Sequence, residues 1–160
     1  DGSSVGEPVP FDDDRGLRTQ HGRFSPKGLR MLWVAYTSSL DQGNGEEEVY
    51  VRAFPPTKEK SPIRLGYGKF PVWTKDGKEI VFQSPDNRLM AASLEEVNSE
   101  LIVKQPIELP LALPESSLGN GNNGELHWWD VTPDGNKIYV IESQPTPITV
   151  VDDWTAKLKT

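Results

Sequence analysis

Residues 71–82 read PVWTKDGKEIVF, and this stretch decides the fold of the 160-residue chain. An apolar run ends at Trp73, the tetrapeptide Thr74-Lys75-Asp76-Gly77 follows, and a second apolar run begins at Ile80. Glycine adopts positive φ without steric cost, and an Asp side chain hydrogen-bonds nearby backbone N–H groups. The stretch therefore predicts an antiparallel hairpin whose register is fixed by the Asp–Gly turn.

The same pattern occurs in two further places, as FSPKG at residues 24–28 and VTPDG at residues 131–135. Its Ser or Thr residues, Ser25, Thr74 and Thr132, are 49 and 58 residues apart, and an alternating apolar strand follows each one. Propeller blades repeat at roughly 40–50 residues. The repeat predicts an all-β fold, an incomplete β-propeller of about three four-stranded antiparallel blades at residues 20–68, 69–110 and 126–154.

The remaining segments receive separate predictions. Residues 1–19 are expected to form an N-terminal arm or the outer strand of a preceding blade, and residues 155–160 a C-terminal tail. Residues 105–125 are rich in breakers and leave room for no regular element except a brief edge strand, and residues 111–125 are expected to form a long surface loop. A closed propeller has about 4–8 blades, so we expect this chain to lack upstream blades or to associate with copies of itself.

The repeated stretches resemble the TolB-like β-propellers, and most closely the closing blades of propellers attached to bacterial membrane serine/threonine kinases. The similar segments are RFSP at 23–26, EVYVRAFP at 48–55, WDVTPDG at 129–135 and ITVVDDW at 148–154. Lys27 replaces the family's Asp, and Lys75 replaces its Pro. The segment 28–32 of the first turn reads as longer than the corresponding turn of the family. The resemblance implies a part of a larger signalling protein and favours an extracytoplasmic location without requiring it.

The turn geometry is expected to depend on ten residues of the repeat. They are Ser25, Pro26, Gly28, Thr74, Asp76, Gly77, Thr132, Pro133, Asp134 and Gly135.

Composition argues against several classes of partner and cofactor. The chain has 17 Lys+Arg against 24 Asp+Glu, a net charge of −7 that disfavours binding to nucleic-acid phosphates. It has no Cys and two His, which excludes thiolate zinc sites and leaves little for a His-rich metal cage. The apolar runs are shorter than a membrane-spanning helix. We therefore expect no cofactor, no metal, no nucleic acid and no direct membrane insertion.

No catalytic constellation is evident. Residues 2–6, GSSVG, match the nucleophile-elbow spacing, but no strand precedes them and Pro8 and Pro10 follow where a helix belongs. Acidic groups at 12–14, 46–48 and 152–153 lack a calcium-loop spacing. A possible binding surface comprises His127, Trp128, Trp129 and Asp130; alternation places His127 and Asp130 on opposite faces, so interblade packing is favoured over acid–base chemistry.

The sequence thus predicts a non-catalytic module that binds a protein or a small ligand. Two alternatives stay open, an auxiliary propeller portion of a hydrolase whose catalytic domain lies elsewhere, and a self-assembling structural subunit. The five tryptophans are expected to pack in the core rather than to form a carbohydrate-stacking surface.

Overall fold

The computed structural model describes residues 19–36, 46–56, 61–98, 100–113, 128–132, 134–141 and 149–152. These residues form strands and turns and contain no helix, so no helix capable of crossing a membrane occurs among them. The strands are β1 Thr19–Phe24, β2 Arg30–Tyr36, β3 Glu47–Ala53, β4 Ile63–Tyr67, β5 Lys69–Trp73, β6 Glu79–Gln83, β7 Arg88–Val97, β8 Glu100–Val103, β9 Ile107–Ala112, β10 Trp129–Val131, β11 Lys137–Val140 and β12 Thr149–Asp152.

The strands form three antiparallel sheets in chain order. Sheet 1 has the order β1-β2-β3-β4, sheet 2 contains β5 to β9, and sheet 3 has the order β10-β11-β12. Within each sheet the strands pair with their sequence neighbours, as in a meander, except that β9 pairs with β7. The prediction of an all-β fold with antiparallel sheets is therefore confirmed.

The last strand of sheet 2 is interrupted. Along β7, residues 94–97 pair with β8 and residues 88–91 pair with β9. Between these two strands, Lys104 N–H donates to Ser93 O at 2.9 Å, so both lie along the same edge of β7. The broken strand β8–β9 thus takes the fourth position of sheet 2, and β9 lies in part of the region at 105–125 where the sequence indicated little besides loop.

Apolar side chains of neighbouring sheets pack face to face. Trp73, Ile80 and Phe82 of sheet 2 pack in one cluster with five buried side chains of sheet 1, namely Leu32, Val34, Val49, Val51 and Leu65. The opposite face of sheet 2 packs against sheet 3 in a second cluster, which includes Val81, Leu89, Trp129, Ile138 and Val140. Sheet 2 is therefore a central layer with a neighbour on each face, and period-two alternation supplies both faces.

Several predicted segments fall outside the described residues. They include the N-terminal arm up to residue 18, residues 114–125 of the long loop, His127, Pro133, Trp154 and the C-terminal tail. Trp33, Trp73 and Trp129 are buried, with 5%, 9% and 2% of their surface exposed, so these three tryptophans pack in the interior.

Candidate functional site

The three repeated turns share one hydrogen-bond pattern. In each, the backbone N–H of the Ser or Thr donates to the carbonyl five residues later, and the Gly N–H donates back to the Ser or Thr carbonyl. The donor and acceptor pairs are Ser25–Arg30 and Gly28–Ser25, Thr74–Glu79 and Gly77–Thr74, and Thr132–Lys137 and Gly135–Thr132. The glycines have φ of 69°, 70° and 74°, a left-handed conformation that glycine adopts easily.

The hydroxyl groups add a second layer of bonding to these turns. Ser25 Oγ accepts from Arg30 N–H, Thr74 Oγ1 from Glu79 N–H and Thr132 Oγ1 from Lys137 N–H, each at 3.1 Å. A Ser or Thr at this position therefore joins the two strands of the hairpin twice, once through the backbone and once through the side chain. This explains why the repeat requires a hydroxyl residue there.

The Asp residues brace the second and third turns. Asp76 Oδ1 accepts from Thr74 Oγ1 and from Lys78 N–H, both at 3.0 Å. Asp134 makes the corresponding bonds to Thr132 Oγ1 and to Asn136 N–H. The Thr132 hydroxyl first, and then the Asn136 N–H, hold the pKa of Asp134 below its usual value of 3.8, although partial desolvation opposes them.

The first turn keeps this geometry without an Asp. Lys27 occupies the Asp position and the backbone bonds of Ser25 and Gly28 are unchanged. The Ser25–Arg30 bond spans five residues, as in the other two turns, so the longer first turn indicated by the sequence is wrong. The carboxylate therefore braces the turn but is not needed to form it.

The turns also pack on one another in chain order. A Cβ placed on Gly77 would lie 3.3 Å from Cδ of Pro26, and one on Gly135 would lie 3.8 Å from Cβ of Thr74. Each later turn therefore contacts the turn of the preceding sheet through its glycine. In addition, Trp73 Nε1–H of sheet 2 donates to the Arg23 carbonyl of sheet 1 at 3.3 Å. We call the end of the sheets that carries these turns the turn end.

The predicted binding surface at residues 127–130 divides between different environments. Trp129 is 2% exposed and belongs to the core between sheets 2 and 3, so it contributes to no surface. Asp130 is exposed and its Oδ1 accepts from the N–H of Val131 at 2.8 Å. Trp128 is partly buried, and its Nε1 is buried with no hydrogen-bond partner among the described residues.

Trp128 occupies the same repeat position as two strained residues. His21 and Phe70 each stand four residues before the Ser or Thr of their turns, as Trp128 does, and have φ of 55° and 52°. Both lie where the strand pairing shifts register, in β1 and in β5. Their rings meet edge to face with centroids 5.1 Å apart. The first strands of sheets 1 and 2 thus carry ring side chains at equivalent positions, on bulges that redirect them.

A cavity of about 280 Å³ lies between sheets 1 and 2 at the end opposite the turns, which we call the loop end. Its walls include Glu47 at the start of β3, Lys69 at the start of β5 and Gln83 at the end of β6. Gln20 Nε2 donates to Glu47 Oε1 and to the Tyr36 hydroxyl, each at 2.8 Å. The Glu47 carboxylate is therefore oriented at the cavity by its neighbours.

Gln83 is the most deeply buried polar side chain of this cavity, with 2% of its surface exposed. Its Nε2 donates to Asn87 Oδ1 at 2.6 Å, and Asn87 Nδ2 donates to the Leu113 carbonyl at 3.0 Å. This chain of amides fixes the orientation of the Gln83 side chain, whose remaining acceptor is its carbonyl oxygen Oε1. The Lys69 ammonium stands 5.2 Å from the centroid of the Phe70 ring.

Gly68 allows the chain to form the cavity wall. A Cβ at this position would lie 2.4 Å from the backbone carbonyl oxygen of Gln83 and 2.7 Å from Cδ2 of Phe82. Its N–H donates to the Glu47 carbonyl at 2.7 Å. Only glycine therefore lets the connection between β4 and β5 run this close to β6. The sequence alone does not indicate the cavity, because its walls come from strands of two different sheets. Gly68 is the local residue that points to a close approach of the backbone here.

Two larger cavities lie at the turn end, with volumes of about 350 and 650 Å³. Arg30 and Glu96 line both cavities and form an ion pair at 2.7 Å across the two sheets. The charged groups of Arg30 and Glu96 therefore neutralise one another within these cavities.

Comparisons with protein-family models, with curated proteins and with solved structures find no match for this chain. The TolB-like resemblance therefore stays a prediction from the repeated residues, and the candidate site must be argued from its own geometry.

Proposed function

We propose that this chain is a non-catalytic binding module whose three sheets are consecutive blades of an incomplete β-propeller. The observation that carries the proposal is the stacking of Gly77 on Pro26 and of Gly135 on Thr74. The same residue position makes the same kind of contact at both sheet interfaces, which is expected when one sheet after another is added around an axis. A larger signalling protein and an extracytoplasmic location remain predictions of the resemblance.

The loop-end cavity is the ligand site in this proposal. In this proposal its polar side chains supply two acceptors, the Glu47 carboxylate and the side-chain oxygen Oε1 of Gln83. Gln83 is too deeply buried for bulk water to solvate it well. Lys69 directs its charge toward the Phe70 ring. Acceptors in a small concave site favour a compact organic cation with N–H donors. Binding rather than catalysis is favoured because Asp130 is exposed and engaged by its own neighbouring N–H.

The diamine putrescine serves as the test probe, with butyrate as the matched anion, in calorimetric titrations. We expect saturable heat with putrescine and none with butyrate. Gln83→Met, which keeps the side-chain volume but removes the carbonyl, should weaken putrescine binding about tenfold, as expected for one lost hydrogen bond of about 1.4 kcal/mol. Gln105→Met changes an exposed glutamine and should leave binding unaltered.

Two results would overturn the ligand site. One is the absence of saturable putrescine binding to the folded wild-type chain. The other is equal binding by wild type and Gln83→Met, with the thermal unfolding of both proteins showing that they are folded.

A further inference from the structure

We propose that the two ends of the sheet stack bind each other in a second copy of this chain, head to tail. The inference rests on the proposed function, because it extends the blade-to-blade contact to a new partner. The head is the turn end of sheet 1, with Phe24, Lys27 and Gly28. The tail is the turn end and outer face of sheet 3, with Thr132, Asp134, Tyr139 and Ile141.

The turn glycines reveal the head. Gly77 and Gly135 are buried against the preceding turn, whereas Gly28 is exposed and no described atom lies within 4 Å of its Cβ position. All three have nearly the same φ, from 69° to 74°. Gly28 therefore has the shape that receives a preceding turn, without having one among the described residues.

The residue before each turn gives the same indication. Trp73 is 9% exposed, packs against sheet 1 and donates to its Arg23 carbonyl. Phe24 stands at the equivalent position of sheet 1, and it is 53% exposed with an edge-to-face contact to Phe54. A ring that is buried in the second sheet is thus presented to solvent in the first.

The tail exposes residues whose equivalents in sheet 2 are buried against sheet 3. Thr74 is 2% exposed beneath Gly135, whereas the equivalent Thr132 is only partly buried. Ile138 and Val140 point from β11 into the core, and the alternate residues Tyr139 and Ile141 are 42% and 53% exposed. Because the interfaces between sheets 1 and 2 and between sheets 2 and 3 repeat, the tail has the features that the head would contact.

Charge supports pairing of these two ends. Lys27 and Asp134 occupy the same position of the first and third turns. Stacking the first turn of one copy on the third turn of another brings an ammonium toward a carboxylate, whereas an Asp in place of Lys27 would bring two carboxylates together. Within one chain Lys27 also lines a cavity together with Asp76 of the second turn, so a lysine at this position can face a carboxylate in both stacks.

The contact is confined to the turn end and first strands of sheet 1. Trp33 and Tyr50, which stack at 5.7 Å on the face of sheet 1 turned away from sheet 2, are already buried within one chain. A ring of two copies contains two identical head-to-tail contacts and leaves no open end.

Sedimentation velocity over a wide concentration range tests the inference. We expect the wild-type chain to reach twice its monomer mass of 17.8 kDa. Gly28→Asn blocks the head with a residue that tolerates positive φ, and Tyr139→Lys places a charge on the tail. Each variant should weaken dimerisation about tenfold or more. Ile102→Lys changes an exposed residue of β8 outside both ends and should leave the dimer intact.

Mixing the two variants distinguishes a head-to-tail contact from any other dimer. The intact tail of Gly28→Asn and the intact head of Tyr139→Lys can form one normal contact, so an equimolar mixture should regain a dimer that neither variant forms alone. A wild-type chain that stays monomeric, or a dimer that both variants retain, would overturn the inference. Putrescine binding by monomeric Gly28→Asn would then show that the proposed function stands independently.

Discussion

Gly77 packs directly on Pro26, at a distance of 3.3 Å between the Cβ position of the glycine and Cδ of the proline. Gly135 repeats this relationship one sheet later, against Thr74. The glycine of each turn therefore has two roles. It supplies the left-handed conformation that closes its own hairpin, and its missing side chain lets the next sheet approach the previous one.

The packing role of Gly77 can be separated from its conformational role. Gly77→Ala and Gly28→Ala incur similar backbone strain, since their φ values are 70° and 69°. Within one chain only Gly77→Ala adds a close contact between sheets, so the two variants are compared at concentrations too low for dimerisation. We expect it to lower the free energy of unfolding in urea by about 1 kcal/mol more than Gly28→Ala does. Equal losses would mean that the turn stack contributes nothing measurable.

The Thr74 hydroxyl is expected to stabilise its hairpin. Thr74→Val keeps the shape of this 2%-exposed side chain but leaves the Glu79 N–H without its hydroxyl acceptor. Such a loss costs about 2 kcal/mol, which urea unfolding can measure. Thr74→Ser keeps the hydroxyl and should cost less than half as much. A larger loss for Ser than for Val would assign the stabilisation to the methyl group that faces Gly135.

The turns and strands could be predicted from the sequence because their causes are local. Thr74, Asp76 and Gly77 satisfy one another within four residues, and the flanking alternation selects the buried face. The loop-end cavity could not be predicted in this way, because Glu47 and Gln83 meet only after two sheets have packed. The bulges at His21 and Phe70 also depend on contact between sheets, which no short-range pattern encodes.

Gly68 lies where the connection between β4 and β5 passes close to β6, so a larger residue at this position should destabilise the chain. Gly68→Ala would place Cβ 2.4 Å from the Gln83 carbonyl oxygen, whereas at Gly66 the nearest atom is 3.8 Å away. The two glycines have φ of 158° and 157°, so any conformational cost is shared. We expect Gly68→Ala to reduce the unfolding free energy by about 2 kcal/mol more than Gly66→Ala. Similar unfolding midpoints for both variants would contradict the described wall of the cavity.

The third turn should lose stability on acidification. The pKa of Asp134 is lowered in the folded chain, so its contribution is present above the unfolded value of about 3.8 and disappears as pH falls through the folded value. The difference in unfolding free energy between wild type and Asp134→Asn should therefore shrink as the pH falls below about 3.8.

An NMR titration of the Asp134 carboxyl carbon measures the cause directly. Its midpoint should lie below 3.8 in the wild type and move upward in Thr132→Val, because the hydroxyl of Thr132 is the main group that lowers the pKa. A wild-type midpoint at or above 3.8 would contradict this account of the turn.

Nuclear Overhauser spectroscopy tests the stacked turns most directly. The account predicts cross-peaks between the α protons of Gly77 and the δ protons of Pro26, and between those of Gly135 and the methyl of Thr74, whose carbon lies 3.9 Å from the Gly135 Cβ position. Hairpins that are individually formed, with their intraturn cross-peaks present but both intersheet cross-peaks missing, would contradict the central claim that the three sheets pack in succession.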